Sequence, residues 1–173
     1  MKHLILGGVR AGKSRYAERC ARSSGMAVTY IATALAADAE MRGRIAEHQR
    51  SRPAQWRTVE APYELVTALH REAHASRCVI VDCLTLWLTQ CLCQRGMRQT
   101  QDECDALVDT LVRLPGVVLF VSNETGLGVV PMGELSRQFC DLSGNLHQGL
   151  AQVCDAVTLM VAGLPVIVKE KRA

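Results

Sequence analysis

Residues 7–14 read Gly7, Gly8, Val9, Arg10, Ala11, Gly12, Lys13, Ser14, a G-x-x-x-x-G-K-S run that constrains this chain more than any other stretch. A short apolar segment, Leu4-Ile5-Leu6, precedes it, and a helix-forming run follows. In that setting the run reads as a phosphate-binding loop. Its glycines let the backbone curl until several N–H groups converge on phosphate oxygens. The helix that follows aims its positive N-terminal end at the same point. Lys13 is placed to reach the β- and γ-phosphates of a nucleotide, and the Ser14 hydroxyl to ligate Mg²⁺.

Strand-like and helical runs alternate along the rest of the chain. Apolar runs at 3–6, 27–32, 77–82, 116–122 and 156–161, with a short Val166-Ile167-Val168, predict strands buried on both faces. Helices are expected at 13–24, 37–50, 62–75, 84–113 with a break near Gly96, and 132–152. Pro62, Pro115 and Pro131 fall at element boundaries. The alternation predicts an α/β P-loop fold of RecA-like type, a central and mostly parallel sheet flanked by helices. Ligands of such sheets bind beyond the carboxyl ends of the strands. With 173 residues and neither repeats nor a linker, one domain over 1–173 is expected.

Bulk properties narrow the partners. A net charge of +3, with two Trp, three Tyr and two Phe, offers no basic stripe interleaved with aromatics, so nucleic acid is not expected. The eight cysteines lack zinc-like spacing; Cys91 and Cys93 form only a C-x-C. Reduced, mostly buried thiols in the cytoplasm are the expectation. No secretory pattern precedes the loop, and no apolar run reaches the ~20 residues of a membrane span.

The run Val79-Ile80-Val81-Asp82 puts an acid at the carboxyl end of an apolar strand, the Walker B pattern, where Asp82 can hold Mg²⁺ directly or through water. P-loops serve ATPases, GTPases and small-molecule kinases alike, so these two motifs leave the reaction open. A polar block follows the second apolar run: Tyr30 to Thr33, Asp38 to Met41, Arg44, His48, Arg52, Trp56 and Thr58 to Glu60. As a helix, 37–50 places Met41, Ile45 and His48 on one face. On spacing alone, His48 is more readily a structural or solvated histidine than a reactive one.

Taken together, these blocks resemble the adenosylcobinamide kinase/adenosylcobinamide-phosphate guanylyltransferase family nearly end to end. The resemblance is carried by G-G-V-R-A-G-K-S-R-Y-A-E at 7–18, Y-I-A-T at 30–33 and D-A-E-M at 38–41. It continues in R-I-A-E-H-Q-R-S-R-P-A-Q-W-R-T-V-E at 44–60, V-D-C-L-T-L-W-L at 81–88 and V-S-N-E-T-G-L-G-V-V-P at 121–131. Leu135, Arg137, Phe139, Asp141, Gly144 and Asn145 complete it. Two departures stand out: Ala11 replaces the usual small polar loop residue, and His147-Gln148 stands where the family has Asn-Gln.

The resemblance implies two reactions. A nucleoside triphosphate, ATP or GTP, phosphorylates the aminopropanol hydroxyl of adenosylcobinamide. GMP is then transferred from GTP to that phosphate through a guanylylated histidine, giving adenosylcobinamide-GDP and pyrophosphate. His48 is the matching histidine. Residues 7–14 match the triphosphate and Mg²⁺ site. Ala32, Thr33, Gln49, Arg50, Ser51, Arg52 and Glu60 match nucleotide-contacting positions, and Asp82 matches an acid serving Mg²⁺ or nucleotide. Asn123 and Glu124 match a second polar strand end lining the cleft. A corrinoid substrate and a homotrimer with active sites near subunit interfaces are implied as well. The nearest rival, an ordinary small-molecule kinase, shares the P-loop and the strand-end acid but has no use for a nucleophilic histidine.

Overall fold

The computed structural model describes residues 1–35 and 39–170, with the side chains of Met41, Arg44, His48 and Ser51 excepted. Seven strands form one sheet: β1 (Lys2–Gly7), β2 (Ala27–Ala32), β3 (Arg57–Glu60), β4 (Arg77–Asp82), β5 (Val117–Val121), β6 (Ala156–Val161) and β7 (Leu164–Lys169). Their order is β3-β2-β4-β5-β1-β6-β7. Every pairing is parallel except β6 with β7. Helices α1 (Lys13–Ser23), α2 (Ala39–Ser51), α3 (Leu65–Glu72), α4 (Leu84–Leu111) and α5 (Glu134–Val153) connect them. The expected RecA-like α/β architecture is therefore present, with β5 inserted between the P-loop strand and the Asp82 strand.

The sheet has apolar layers on both faces, which explains why its central strands read as unbroken Val, Ile and Leu. One layer packs under α3, α4 and α5 around Trp87, Leu107, Phe120 and Leu150. The other packs under α1 around Ile5, Tyr30, Ile80 and Leu119. Each large side chain so buried contributes about 1.5–3 kcal/mol. Ala17 and Ala21, one turn apart on α1 and fully buried, let that helix lie close to the sheet. Within α4, Gly96 at φ 74° breaks the helix as its sequence position predicts.

Two strands differ from the sequence reading. β3 was expected only as part of a polar block. It is an edge strand in which Val59 alone is buried, so no apolar run announces it. β7 extends well beyond Val166–Val168 and turns back on β6 through Ala162 and Gly163, both at positive φ, the conformation of a two-residue hairpin turn. Helix α3 begins at Leu65, later than Pro62 suggests, and the Tyr63 carbonyl just before it accepts from the indole N–H of Trp87 at 3.0 Å. Gly116 has no substitute: at φ 71° a Cβ there would stand 2.1 Å from the His74 carbonyl oxygen.

The end of the sheet opposite the P-loop is locked by a buried acid. Glu72 is 1% exposed and accepts from Arg57 at 3.1 Å, Arg71 at 3.1 Å and Arg77 at 3.2 Å. It closes α3, where a carboxylate opposes the helix dipole, so the three guanidinium groups offset both desolvation and dipole. They tie α3 to the first residues of β3 and β4. Glu72→Gln is expected to lower unfolding free energy by about 1–3 kcal/mol in urea denaturation, because it removes the negative charge facing three guanidinium groups and turns one acceptor oxygen into a donor. Arg71→Ala, in a side chain 63% exposed, should change it by less than about 1 kcal/mol. Equal losses in the two variants would contradict this division.

Candidate active site

Strand register collects the sequence-marked residues at one edge. Ala32 on β2 is level with Glu60 on β3 and with Asp82 on β4. Asp82 is level with Val121 on β5, and Val121 with Ile5 on β1, two residues before Gly7. The carboxyl ends of five parallel strands thus form a single rim. The P-loop leaves β1, the last of these five in sheet order, and β6 lies beyond it.

The loop is held from beneath and from the side. At Gly7, φ is 151°, and a Cβ would approach the Met160 carbonyl oxygen on β6 to 2.6 Å, so glycine is required there. Gly8, Val9 and Arg10 form the exposed outer turn, with Arg10 at φ 57°. The N–H of Gly163, in the β6–β7 turn, donates to the Ala11 carbonyl at 3.1 Å. Gly12, at φ 92°, is the N-cap of α1, so the first N–H groups of the helix lie open at the loop. Lys13 is 8% exposed and donates to the Gly8 carbonyl at 2.6 Å. Burial pushes its ammonium pKa down, opposed first by Asp82 and then by Cys83. Ser14 is the second residue of α1.

Asp82 is set by a tyrosine. The Tyr30 hydroxyl donates to Asp82 Oδ2 at 2.6 Å. The adjoining backbone is fixed by Thr33, whose hydroxyl accepts from the Cys83 N–H at 2.8 Å and donates to the Cys83 carbonyl at 2.7 Å. Gln90 of α4 in turn donates to the Thr33 carbonyl at 2.7 Å. The hydroxyl of Thr33 is therefore spent on Cys83. Cys83 is itself a poor nucleophile: burial, and then Asp82, push its thiol up to about 11.

Arg52, just past α2, brings its guanidinium over the face of Tyr30, 3.4 Å from the ring centre. Arg52 thus ties the far end of α2 to the rim. Gln49 and Arg50 are exposed on α2, and Glu60 is exposed at the end of β3. His48 belongs to the α2 backbone, but its side chain, like those of Met41, Arg44 and Ser51, lies outside the described residues, as does Asp38.

At the end of β5, between the P-loop strand and the Asp82 strand, a second polar group forms that spacing did not single out. Glu124 donates its N–H to the Gly7 carbonyl at 3.0 Å, and Asn123 donates its own to Thr85 Oγ1 at 2.7 Å. His147 is buried, pairs through Nε2 with Ser122 Oγ at 2.8 Å and faces Glu124 Oε2 through Nδ1 at 3.7 Å. Burial lowers its pKa, against the pull of Glu124. No helix follows directly on Asn123; α5 begins at Glu134, so this pair is not a helix cap.

A P-loop launched from an interior strand, with a strand-end acid across the intervening β5, defines a nucleotide-binding domain of the RecA-like class. The family model described as cobinamide kinase / cobinamide phosphate guanyltransferase matches residues 3–168. A bifunctional adenosylcobalamin biosynthesis protein, CobP, of Pseudomonas aeruginosa is 57% identical over 169 residues, covering 98% of each chain. A bifunctional adenosylcobalamin biosynthesis protein, CobU, of Escherichia coli is 36% identical over 182 residues, covering 98% of this chain and 100% of the relative. Among solved structures, a Pyrococcus horikoshii OT3 protein superposes with a TM-score of 0.60 at 10% identity, covering 99% of this chain and 87% of that one. The RadB recombinase gives 0.51 at 14% identity, covering 91% and 73%. These last two likenesses concern the fold alone. The chain belongs to the cobinamide kinase / cobinamide phosphate guanyltransferase family, and its activities are the two that the family carries.

Lys13→Ala is expected to lower both nucleotide-dependent rates by about 10²-fold or more, because it removes a preorganised cation from the phosphate loop. Steady-state assays of kinase and guanylyltransferase turnover check this; near-normal rates in either would contradict a shared P-loop.

Proposed function

We propose that this chain phosphorylates the aminopropanol hydroxyl of adenosylcobinamide with ATP or GTP. It then transfers GMP from GTP to the resulting phosphate by way of His48. The observation that carries this reading is the return of α2 to the P-loop rim through Arg52. His48 precedes Arg52 by four residues, a rise of roughly 6 Å along a helix, so its backbone is tethered close to the site. The triphosphate would lie along residues 7–14, with Lys13 on its β- and γ-phosphates and Arg52 and Glu60 toward the remainder of the nucleotide. Ala32 and Thr33 would form the floor between them, and Gln49, Arg50 and Ser51 the flank that carries the histidine.

The donor set suits Mg²⁺: a strand-end carboxylate and a serine hydroxyl beside a phosphate loop are hard oxygen ligands. Asp82 and Ser14 would hold the ion, and its charge would draw electron density from the phosphate oxygens. Among the described residues no three His, Cys, Asp or Glu side chains form a metal nest, so phosphates and water would supply most of the ligands.

In the transfer a neutral imidazole nitrogen of His48 attacks the α-phosphorus of GTP. The bond to the bridging oxygen breaks and pyrophosphate leaves. A phosphate oxygen of the corrinoid substrate then attacks the same phosphorus, the N–P bond breaks and the imidazole is restored. Histidine suits both steps, being nucleophilic near neutral pH and a serviceable leaving group. The high thiol pKa of Cys83 argues against a cysteine adduct in its place.

Oligomerisation fits the exposed apolar surface. Val161, Leu164, Val166, Ile167 and Val168 on the β6–β7 edge are 48–69% exposed, and Val129 and Met132 in the loop before α5 are each 96% exposed. An unpaired edge of this kind calls for a covering partner. A second and third copy of this chain, as the resemblance implies, are the proposed cover. A cytoplasmic location accords with eight free cysteines, and among the described residues no helix is long and apolar enough to cross a membrane. A corrinoid, not nucleic acid, is the proposed partner.

His48→Ala should abolish GMP transfer while lowering phosphorylation of adenosylcobinamide much less, because phosphoryl transfer to a hydroxyl needs positioning and charge but not this nucleophile. Parallel loss of both activities, or survival of GMP transfer, would contradict the assignment. Sedimentation of the native chain should give a trimer, and Ile167→Asp should shift it toward monomer. A native monomer would remove the oligomer from the proposal.

A further inference from the structure

We infer that Tyr30 is a positioning residue, one side chain that sets both the metal-side acid and the phosphate-side arginine of the nucleotide site. It lies on β2 two residues before Ala32, the register partner of Asp82, and on the α1 face of the sheet. It is 1% exposed. Its hydroxyl donates to Asp82 Oδ2 at 2.6 Å. A phenol hydroxyl keeps its proton at neutral pH, so here it acts as a donor to the carboxylate. That bond restricts carboxylate rotation and leaves Oδ1 as the oxygen available to a cation.

The ring has a second use. The Arg52 guanidinium lies over its face at 3.4 Å from the centroid. Nε and Nη1 of Arg52 are buried and, among the described residues, have no hydrogen-bond partner. An aromatic face can offset part of the cost of drawing a guanidinium out of water, but it supplies no acceptor for those N–H groups. A half-buried cation with two unmet donors at the rim of a phosphate loop is set to take an anionic oxygen. Tyr30 therefore couples two groups of opposite charge through one rigid ring. A core tyrosine that merely needed a partner for its hydroxyl would explain the Asp82 bond; it would not explain an arginine with two unmet N–H groups stacked on the same ring.

This inference rests on the nucleotide and metal roles proposed for Arg52 and Asp82, and the experiment separates the two levels. Tyr30→Phe keeps the ring and deletes only the bond to Asp82. In the GTP-bound protein, Mn²⁺ affinity read by electron paramagnetic resonance should weaken about tenfold, as for loss of one charge-assisted hydrogen bond. GTP affinity measured without divalent cation should stay unchanged. Tyr30→Leu should instead weaken cation-free GTP binding. Adding Arg52→Ala to it should produce no further loss beyond that of Arg52→Ala alone, because the two act as one unit. Asp82→Asn is the control. If it weakens Mn²⁺ binding while Tyr30→Phe does not, the positioning role is overturned and the metal role of Asp82 stands. If neither weakens it, the metal role falls and the inference with it. Should Tyr30→Leu fail to fold, the Tyr30→Phe measurement still decides.

Discussion

A lysine ammonium and an aspartate carboxylate, drawn together at the carboxyl edge of a parallel sheet, are what the surrounding structure serves. Neither is comfortable there. Lys13 is nearly buried and its ammonium is destabilised by desolvation, with the Asp82 charge as the leading compensation. The supports are correspondingly dense. Gly7 admits the close approach of β6, the β6–β7 turn holds the Ala11 carbonyl, and Thr33 and Gln90 fix the backbone beside Asp82. A site with fixed charges in reduced solvent gains electrostatic strength at the moment a phosphoryl or nucleotidyl group develops charge, because little reorganisation is left to do.

The same edge also accounts for two chemistries in one chain. Phosphoryl transfer asks the protein mainly for positioning and charge, which the P-loop and strand-end acid supply. Nucleotidyl transfer through a covalent intermediate asks in addition for a nucleophile that reaches the α-phosphorus. Arg52, just past the end of α2, stacks on Tyr30 at the rim, and on the proposed reading this holds the backbone of His48, about a turn earlier, near the nucleotide. The family to which the chain belongs names both activities, and the proposed roles give each its own set of residues.

Much of this was legible in the sequence. The P-loop and Asp82 are local signals, and strands buried on both faces write themselves as apolar runs. Edge strands do not. β3 buries only Val59 of its four residues and hides in a polar block, and β7 is apolar yet exposed, so burial patterning misjudges its length. The cluster of Arg52, Tyr30 and Asp82 was legible only in part. Arg52 and Asp82 were marked, but Tyr30 looks like any aromatic in a core strand until the register sets it below Asp82. The pairing of His147 with Ser122 and Glu124 joins segments some twenty residues apart, and no local spacing encodes it. Its one trace was a departure: histidine where the resembling family has asparagine.

The central claim is a covalent one, that GMP rests on His48 between the two reactions. Incubating the protein with GTP, without corrinoid, and mapping its peptides by mass spectrometry under mildly basic conditions tests it directly. The account predicts a single GMP adduct on the peptide that contains His48, lost when adenosylcobinamide phosphate is added. An adduct on another residue, or none with active enzyme, would contradict it.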